Sequence, residues 1–340
     1  MGARRPGLRW TGGVAAGLAA ALTFGSVAFV DGPTHFEPGS STLTLDRPIG
    51  ELAYVPATHT LLGVGDGALM VVDPTQSGPP RVIRVKTNRV GGTVAADPAT
   101  GTAWVGNGDD THGLPSRMLS ILDLASGRFV ETRLLSAPVA DLALDPRARR
   151  AYLLHRPFAA APAGITVLDA DSRAELAEVD LDFPADRLIL TADGATAVVT
   201  GGPDAAVLST PDLGVHRLDL QARSDVVAAL DPTSPTGYLL SADTAYTVDL
   251  TSRAVRSAPS PAAPGPGQLA VGEDGSLIMV AAPRVLVMNP RSRRAIASGP
   301  ITDRDGQVVV DPATGTLFVT GVGGSSVHVI GSRGRPRSPR

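Results

Sequence analysis

The 340-residue chain contains no cysteine, a single lysine (Lys86) and few aromatic residues, which make up 4% of it. The lack of cysteine excludes a disulfide framework, a cysteine zinc site, a cysteine nucleophile and a lipid anchor attached to cysteine. Because aromatic residues are so scarce, the 43% of hydrophobic residues must form a core mainly from Val, Leu, Ile and Ala.

Negative charge outweighs positive charge in the chain between its two ends. The formal net charge is −3, and without the seven arginines of residues 1–13 and 333–340 it becomes −10. Proteins that bind nucleic acid usually carry a basic patch or stripe on their folded part. We therefore expect no nucleic-acid partner.

The N-terminal end has the pattern of an export signal or an anchor. Three arginines precede an uncharged, mostly apolar run over residues 14–30, which ends at Asp31. Its 17 residues suit either a signal peptide cleaved after Ala28 or an uncleaved membrane anchor. In both cases the arginines stay inside and the rest of the chain lies outside the cytoplasm, secreted or anchored. We expect a hydrophobic helix in residues 1–30 and a linker over 31–40.

Glycine and proline, with 38 and 29 residues, mark a turn that recurs at intervals of about 40–48 residues. The clearest copies are Asp97-Pro98-Ala99-Thr100-Gly101, Asp145-Pro146-Arg147-Ala148-Arg149, Asp231-Pro232-Thr233-Ser234-Pro235 and Asp311-Pro312-Ala313-Thr314-Gly315. Asp accepts hydrogen bonds from the backbone ahead of it, Pro fixes φ and Gly supplies a positive φ. Short apolar or alternating runs flank every turn, as β-strands do.

Seven such units fill residues 41–331, and a second hairpin follows the first in each unit. Four antiparallel strands per unit at this spacing predict an all-β, seven-bladed β-propeller. The last unit lacks a fourth strand, because the chain after Ile330 turns into a Gly- and Arg-rich tail, which we expect to be disordered over 332–340. We predict that Thr42–Leu45 supplies this strand and closes the ring.

The repeats resemble those of the bacterial propeller family with YVTN-type repeats. The likeness is best at residues 97–107 with 119–123, and at residues 311–319. At the level of pattern it covers almost the whole chain after residue 41. This resemblance implies an extracytoplasmic or surface protein, usually a binding module, but no particular ligand.

The loops opposite the Asp-Pro turns are longer and hold more charge than the turns themselves, and function tends to reside in such loops. The longest, residues 106–117, joins two strands of the second unit, and charged segments lead into several other units. The candidate ligand-binding residues are Arg89, Asn107, Asp109, Asp110, His112, Arg117, Arg156, Arg187, Asp303 and Arg304. Arginine forks suit carboxylates and phosphates, whereas the alternative is that Asp and Arg neutralise one another in solvent.

Two further interpretations concern the histidines. Asn107, Asp109, Asp110 and His112 contain the donor types of a Ca²⁺ or Zn²⁺ site, but their spacing fits no defined metal loop, and we predict neither metal nor cofactor. His112, His155 and Arg156 are candidate catalytic residues, because histidine titrates near neutrality. Standard signatures such as Gly-x-Ser-x-Gly, Walker A and His-Glu-x-x-His are missing from the sequence.

Two functional hypotheses follow. The first is a non-catalytic extracytoplasmic propeller, monomeric, that binds a protein, a peptide or an envelope component on its loop face and meets the membrane only through its N-terminal segment. A sensor domain held by a membrane anchor is a variant of it. The second is an enzyme, such as a lactonase-like hydrolase, with a site around Asp110, His112, His155 and Arg156, since seven-bladed propellers also serve enzymes.

Overall fold

The structure, a computed structural model, describes thirteen stretches of the chain. They are residues 34–35, 41–45, 47–75, 79–85, 92–107, 116–157, 163–260, 268–272, 275–281, 284–289, 295–300, 306–321 and 324–331. The expected signal or anchor (1–30) and the expected tail (332–340) lie outside these residues.

The described residues form 29 strands and one short 3-10 helix, Pro56–Thr58. In chain order the strands are β1 Thr34–His35, β2 Ser41–Thr44, β3 Glu51–Val55, β4 Thr60–Gly65, β5 Ala68–Val72, β6 Arg81–Arg84, β7 Gly92–Asp97, β8 Thr102–Asn107, β9 Met118–Asp123, β10 Phe129–Leu134, β11 Val139–Asp145, β12 Arg150–His155, β13 Gly164–Asp169, β14 Glu175–Asp180, β15 Arg187–Leu190, β16 Thr196–Gly201, β17 Asp204–Ser209, β18 Val215–Arg217, β19 Val227–Leu230, β20 Thr236–Leu240, β21 Thr244–Asp249, β22 Val255–Pro259, β23 Leu269–Val271, β24 Leu277–Ala281, β25 Arg284–Met288, β26 Ala295–Pro300, β27 Gly306–Val310, β28 Leu317–Gly321 and β29 Ser326–Ile330.

Strands β2 to β29 make seven antiparallel sheets of four strands each, which are the blades of a propeller. Blade one is β3–β6, and blades two to six follow in chain order from β7 to β26. The first strand of every blade contacts the first strand of the next, and β27 contacts β3, so the ring is closed around a central axis. The predicted seven-bladed architecture is confirmed.

The N-terminal strand closes the ring as predicted. Strand β2 pairs antiparallel with β29, with Ser41 opposite Val329 and Thr44 opposite Ser326, and so becomes the outer strand of blade seven. Leu45 follows the strand rather than ending it, and its N–H donates to the carbonyl of Ser325 at 2.7 Å. Both ends of the folded ring therefore meet within one sheet, which leaves no open seam between the first and last blades.

Blade six carries a fifth strand that the sequence pattern does not indicate. Thr34 and His35, within the expected linker, pair in parallel with Ala297 and Ser298 of β26. The outer edge of blade six is therefore covered over these residues.

The recurrent turns form as their chemistry predicts. The carboxylates of Asp97, Asp145, Asp231 and Asp311 each accept a hydrogen bond, at 2.8–3.0 Å, from the backbone N–H two residues ahead. Gly101 and Gly315 take the positive φ that ends the turn, whereas in blade three Arg149 takes it, with φ 54°.

The core lies between the faces of neighbouring blades. Leu61 and Met70 of blade one, for example, pack against Phe318 and Val327 of blade seven. Because each blade is covered on both faces, its two middle strands are almost wholly apolar, and polar residues concentrate on the outermost strands and at the axis. Within the described stretches, no helix is long and apolar enough to cross a membrane.

Candidate binding site at the channel mouth

One position recurs at the start of the innermost strand of all seven blades. In blades two, three, five and seven it lies four residues before the turn aspartate that ends or follows the innermost strand. In the other blades it lies at the corresponding place. We call its seven occupants the mouth ring: Glu51, Thr93, Asp141, Arg187, Val227, Gln268 and Gln307. Six of the seven are polar, although they begin strands that otherwise bury apolar side chains.

Contacts across the ring place these side chains in the central channel. The guanidinium of Arg187, in blade four, lies 3.5 Å from a carboxylate oxygen of Glu51, in blade one. Two blades separate them along the chain, so the contact must cross the axis. The ring lies at the end of the inner strands that is opposite the Asp-Pro turns, which is the end where the charged loops emerge.

The ring side chains satisfy backbone groups that the inner strands leave unpaired. An innermost strand is an edge, so alternate N–H groups on its axial side have no strand partner. The amide oxygen of Gln307 accepts from the N–H of Leu52 at 2.6 Å, and Oδ2 of Asp141 accepts from the N–H of Leu188 at 2.9 Å. Each acceptor reaches the next blade, so the ring joins neighbouring blades as well as lining the channel.

Thr93 links the two acidic members of the ring. Its hydroxyl lies 3.2 Å from Oε1 of Glu51 and 2.9 Å from Oδ1 of Asp141. A hydroxyl has one proton to donate, so it can donate to only one of the carboxylates at a time. When it donates to Asp141, its oxygen can accept a hydrogen bond from a protonated Glu51.

The electrostatics assign the proton to Glu51. Burial, followed by the charge of Asp141, raises the pKa of Glu51 to about 8, although Arg187 opposes the shift. Burial also raises the pKa of Asp141, but both of its oxygens accept backbone N–H groups, from Leu142 and Leu188. Two backbone donors hold Asp141 in its ionised form, so Glu51 is the group that takes up the proton near neutrality.

Arg187 is the most accessible charged group of the ring. Its side chain is 40% exposed, against 15% for Glu51. Burial lowers the pKa of Arg187, but the charges of Glu51, Asp141 and Asp186 outweigh burial and raise it, so it stays a cation. The channel mouth therefore offers a fixed positive charge beside a carboxyl group that can change its charge.

A second layer of charge surrounds Arg187 at the surface. Asp186 is exposed, yet desolvation in the concave mouth raises its pKa. Arg187 and Arg156 oppose this shift, and Asp225 adds to it, so these four residues of three successive blades share one electrostatic environment. Two of the predicted ligand-binding residues, Arg156 and Arg187, are thus brought to the same side of the mouth.

Most of the other predicted ligand-binding residues lie outside the described residues. These are Arg89, Asp109, Asp110, His112, Asp303 and Arg304. Asn107 ends β8. Arg117 is half-buried just before β9, and its carbonyl accepts from the N–H of Leu135 at 2.8 Å.

His155, the other candidate acid or base, ends β12 and is buried within blade three. Its Nε2 lies 2.7 Å from the hydroxyl of Thr166 on the adjacent strand. Burial lowers its pKa, and the carbonyls of Pro138 and Ala137 and the charge of Glu178 only partly oppose this. The imidazole is therefore neutral at pH 7. In the described part of the chain it has no carboxylate hydrogen-bond partner, and its neighbour Arg156 is exposed to solvent.

No cluster of three or more acidic, histidine or cysteine side chains within the described ranges is arranged to hold a metal ion. The predicted donors Asp109, Asp110 and His112 fall outside those ranges. The interpretation of these residues as metal ligands is therefore not tested by the structure.

The sequence prediction missed Glu51, Thr93 and Asp141. The signal that could have found them is their register: each is polar and comes just before the apolar part of an inner strand. Within a single strand, a polar residue at this position fits the ordinary alternation of polar and apolar side chains. Only an alignment of the seven repeats shows that it faces the axis in every blade.

No protein-family model matches this chain, and a search of curated proteins found no similar protein. The chain is assigned by its architecture, a seven-bladed β-propeller.

Proposed function

We propose that this protein is an extracytoplasmic binding module of the YVTN-repeat type, and that it receives a basic group of a protein, peptide or envelope component at its channel mouth. The observation that carries the proposal is the charge of the mouth. Among the described residues that act on one another electrostatically at the mouth, four carboxyl groups, those of Glu51, Asp141, Asp186 and Asp225, accompany two guanidinium groups, those of Arg156 and Arg187.

A cationic ligand group suits this arrangement for two reasons. An ammonium or guanidinium group would balance the excess of carboxylates without displacing Arg187 from Glu51. It would also favour the ionised form of Glu51, so that binding releases a proton near neutral pH. The predicted anionic ligand fits less well, because it would have to compete with three carboxylates for Arg187.

The proposed ligand class can be tested at the two exposed carboxyl groups of the mouth, those of Asp186 and Asp225. We expect full-length protein in mild detergent, incubated with an envelope extract and cross-linked, to capture a ligand through the loop face. Replacing Asp186 and Asp225 together by asparagine should reduce the captured amount at least about fivefold, because it removes two exposed charges while leaving the ring intact. Glu175→Gln, an exposed charge at the start of β14 on the opposite face, is the matched control.

A defined probe separates charge from shape. Binding of short peptides that differ only in lysine against norleucine can be followed by fluorescence anisotropy at pH 6 and pH 8.5. The lysine peptides should bind more tightly at pH 8.5, where Glu51 is ionised, and more weakly to the double variant. Equal binding of both peptide series, or an unchanged affinity in the double variant, would contradict the proposed ligand class.

The extracytoplasmic location is tested separately, at the N-terminus. It is supported by the arginines and the apolar run of residues 1–30. We expect mass spectrometry of the protein from its native cells to find either a mature chain that starts after Ala28 or an intact N-terminus in the membrane fraction. An intact N-terminus in the soluble cytoplasmic fraction would contradict export.

A further inference from the structure

Exposed apolar side chains are concentrated at one place on the rim of the propeller. Among the described residues, the large hydrophobic side chains that are exposed are Phe129, Val130 and Leu134 of β10, at 45%, 45% and 63%, and Leu176 of β14, at 51%. Strands β10 and β14 are the outer strands of the neighbouring blades two and three. Three of these four side chains therefore belong to a single edge strand.

An outer strand has a row of unpaired N–H and C=O groups, and proteins usually protect such an edge against pairing with another chain. The other outer strands show such protection. Charge or proline protects three of them: β6 has an arginine at both ends, β14 carries three acidic residues and β22 ends in a proline. Strand β26 is covered by β1, whereas β18 and β2 are short, with three and four residues, and β2 has no large exposed apolar side chain. Strand β10 has six residues, no proline and one charge of each sign. Its bulge lies at Val130, near its beginning, and the following residues keep regular register with β9.

The sequence of β10 is complementary to itself when reversed. Around Thr132 it reads Val130-Glu131-Thr132-Arg133-Leu134. In an antiparallel pair of two copies centred on Thr132, Glu131 of each copy lies opposite Arg133 of the other, and Val130 lies opposite Leu134. Opposite charges and apolar pairs at directly facing positions stabilise antiparallel strands, and a two-fold axis makes each contact occur twice.

The two faces of the strand also agree with this arrangement. Thr132 and Leu134 are exposed on one face, whereas Glu131 and Arg133 are half-buried on the other. In one protomer Glu131 already lies 3.0 Å from Nε of Arg133 and 3.5 Å from Nε of Arg173 in blade three. Both charges are thus held beside the edge where the charges of a second copy would meet them.

We propose that two copies of this protein associate through β10, edge to edge about a two-fold axis, so that their second blades form one continuous eight-stranded sheet. The contact is small, well under the ~1,600 Å² of a standard interface, so we expect a weak dimer with a Kd of about 10–100 µM. This replaces the expectation of a monomer and does not depend on what the channel mouth binds.

Charge reversal with complementation tests the proposal. Sedimentation equilibrium of the full-length protein in mild detergent, over about 1–500 µM, should show the dimer. Arg133→Glu places two carboxylates opposite each other in both halves of the contact, and Glu131→Arg places two guanidinium groups there. Each variant alone should dissociate at least about tenfold more readily than wild type, whereas an equimolar mixture of the two should form a heterodimer about as tightly as wild type.

Two controls make the result specific. Arg256→Glu is the same charge reversal on β22, the outer strand of blade five, and should leave the dimer unchanged. Circular dichroism should show that all three variants keep the β-sheet spectrum. A monomer at every concentration, or a dimer that neither variant weakens, would overturn the proposal, and so would a mixture that associates no better than the single variants.

Discussion

Replacing Arg187 by methionine should lower the free energy of unfolding by about 3 kcal/mol at about pH 9.5, where Glu51 is ionised in the wild type, and by much less at pH 5. Without the guanidinium, the carboxyl groups of Glu51 and Asp141 share the channel with no cation beside them in the ring. Removing one partner of a desolvated ion pair typically costs about 3–5 kcal/mol, and the 40% exposure of Arg187 places the cost at the lower end. Chemical denaturation at both pH values measures it.

The pH dependence has a definite sign. The pKa of Glu51 is raised from 4.5 to about 8 in the folded protein, so between these values the folded state binds a proton that the unfolded state has released. The stability that this proton provides is complete below pH 4.5 and is lost as the pH rises through about 8. Wild-type protein should therefore become less stable over this interval, and the Arg187→Met variant should go on losing stability above pH 8, because without the guanidinium its Glu51 keeps the proton to a higher pH.

Glu51→Gln serves as the matched variant. It removes the titrating proton but supplies an amide N–H that can donate to the Thr93 hydroxyl oxygen, as protonated Glu51 does, so the pH dependence between 5 and 8 should flatten. Combined with Arg187→Met, it should recover most of the stability lost at about pH 9.5, because only Asp141 then remains charged in the ring, held by two backbone N–H groups. An equal loss for Arg187→Met at both pH values, or no recovery in the double variant, would refute the proton assignment.

The architecture could be predicted because its signals are local. An Asp-Pro turn needs its own few residues only, as the contacts of Asp97 and Asp311 with the backbone just ahead of them show. A turn at this place occurs in all seven units, with Asp-Pro in four of them, Asp-Gly in two and Val-Pro in one, and its recurrence determines the number of blades. The closing strand was predictable for a similar reason: one blade lacked an outer strand, and Thr42–Leu45 had the required alternation.

The mouth ring could not be predicted because its contacts are distant in sequence. Glu51 and Arg187 are 136 residues apart, and nothing near either residue indicates the other. Arg187 was predicted only as part of a charged loop, and its role in the channel depends on partners from blades one and three. His155 illustrates the opposite case, since a histidine beside an arginine resembles an acid–base pair until the strand places one residue in the blade and the other in solvent.

Arg149→Met should lower the free energy of unfolding by about 2–3 kcal/mol at pH 7, the second large effect that the structure predicts. The guanidinium of Arg149 in blade three makes two parallel hydrogen bonds, at 3.0 and 2.8 Å, to the carboxylate of Asp97 in blade two. It also contacts Asp171 at 2.6 Å. Because the side chain of Asp97 is only 2% exposed, removing the arginine leaves a carboxylate desolvated between two blades.

The size of the effect should depend on geometry and on pH. Arg149→Lys keeps the charge but loses the paired hydrogen bonds, so it should cost about half as much. Burial raises the pKa of Asp97, but the hydrogen bonds from Arg149 and Thr100 outweigh it and lower the pKa. The stability from this pair is therefore present above the unfolded pKa near 3.8 and is lost as the pH falls through the folded value, so wild type and Arg149→Met should converge in acid.

Arg147→Met is the control for the contact between Arg149 of blade three and Asp97 of blade two. Arg147 lies in the same turn, is exposed and forms none of the ion pairs seen within the described stretches, so its loss should change the stability by less than about 0.5 kcal/mol. Thermal and urea unfolding of the three variants beside wild type distinguish a specific contact between blades from a general loss of surface charge. If Arg147→Met and Arg149→Met were equally destabilising, the paired hydrogen bonds to Asp97 would not be what joins these two blades.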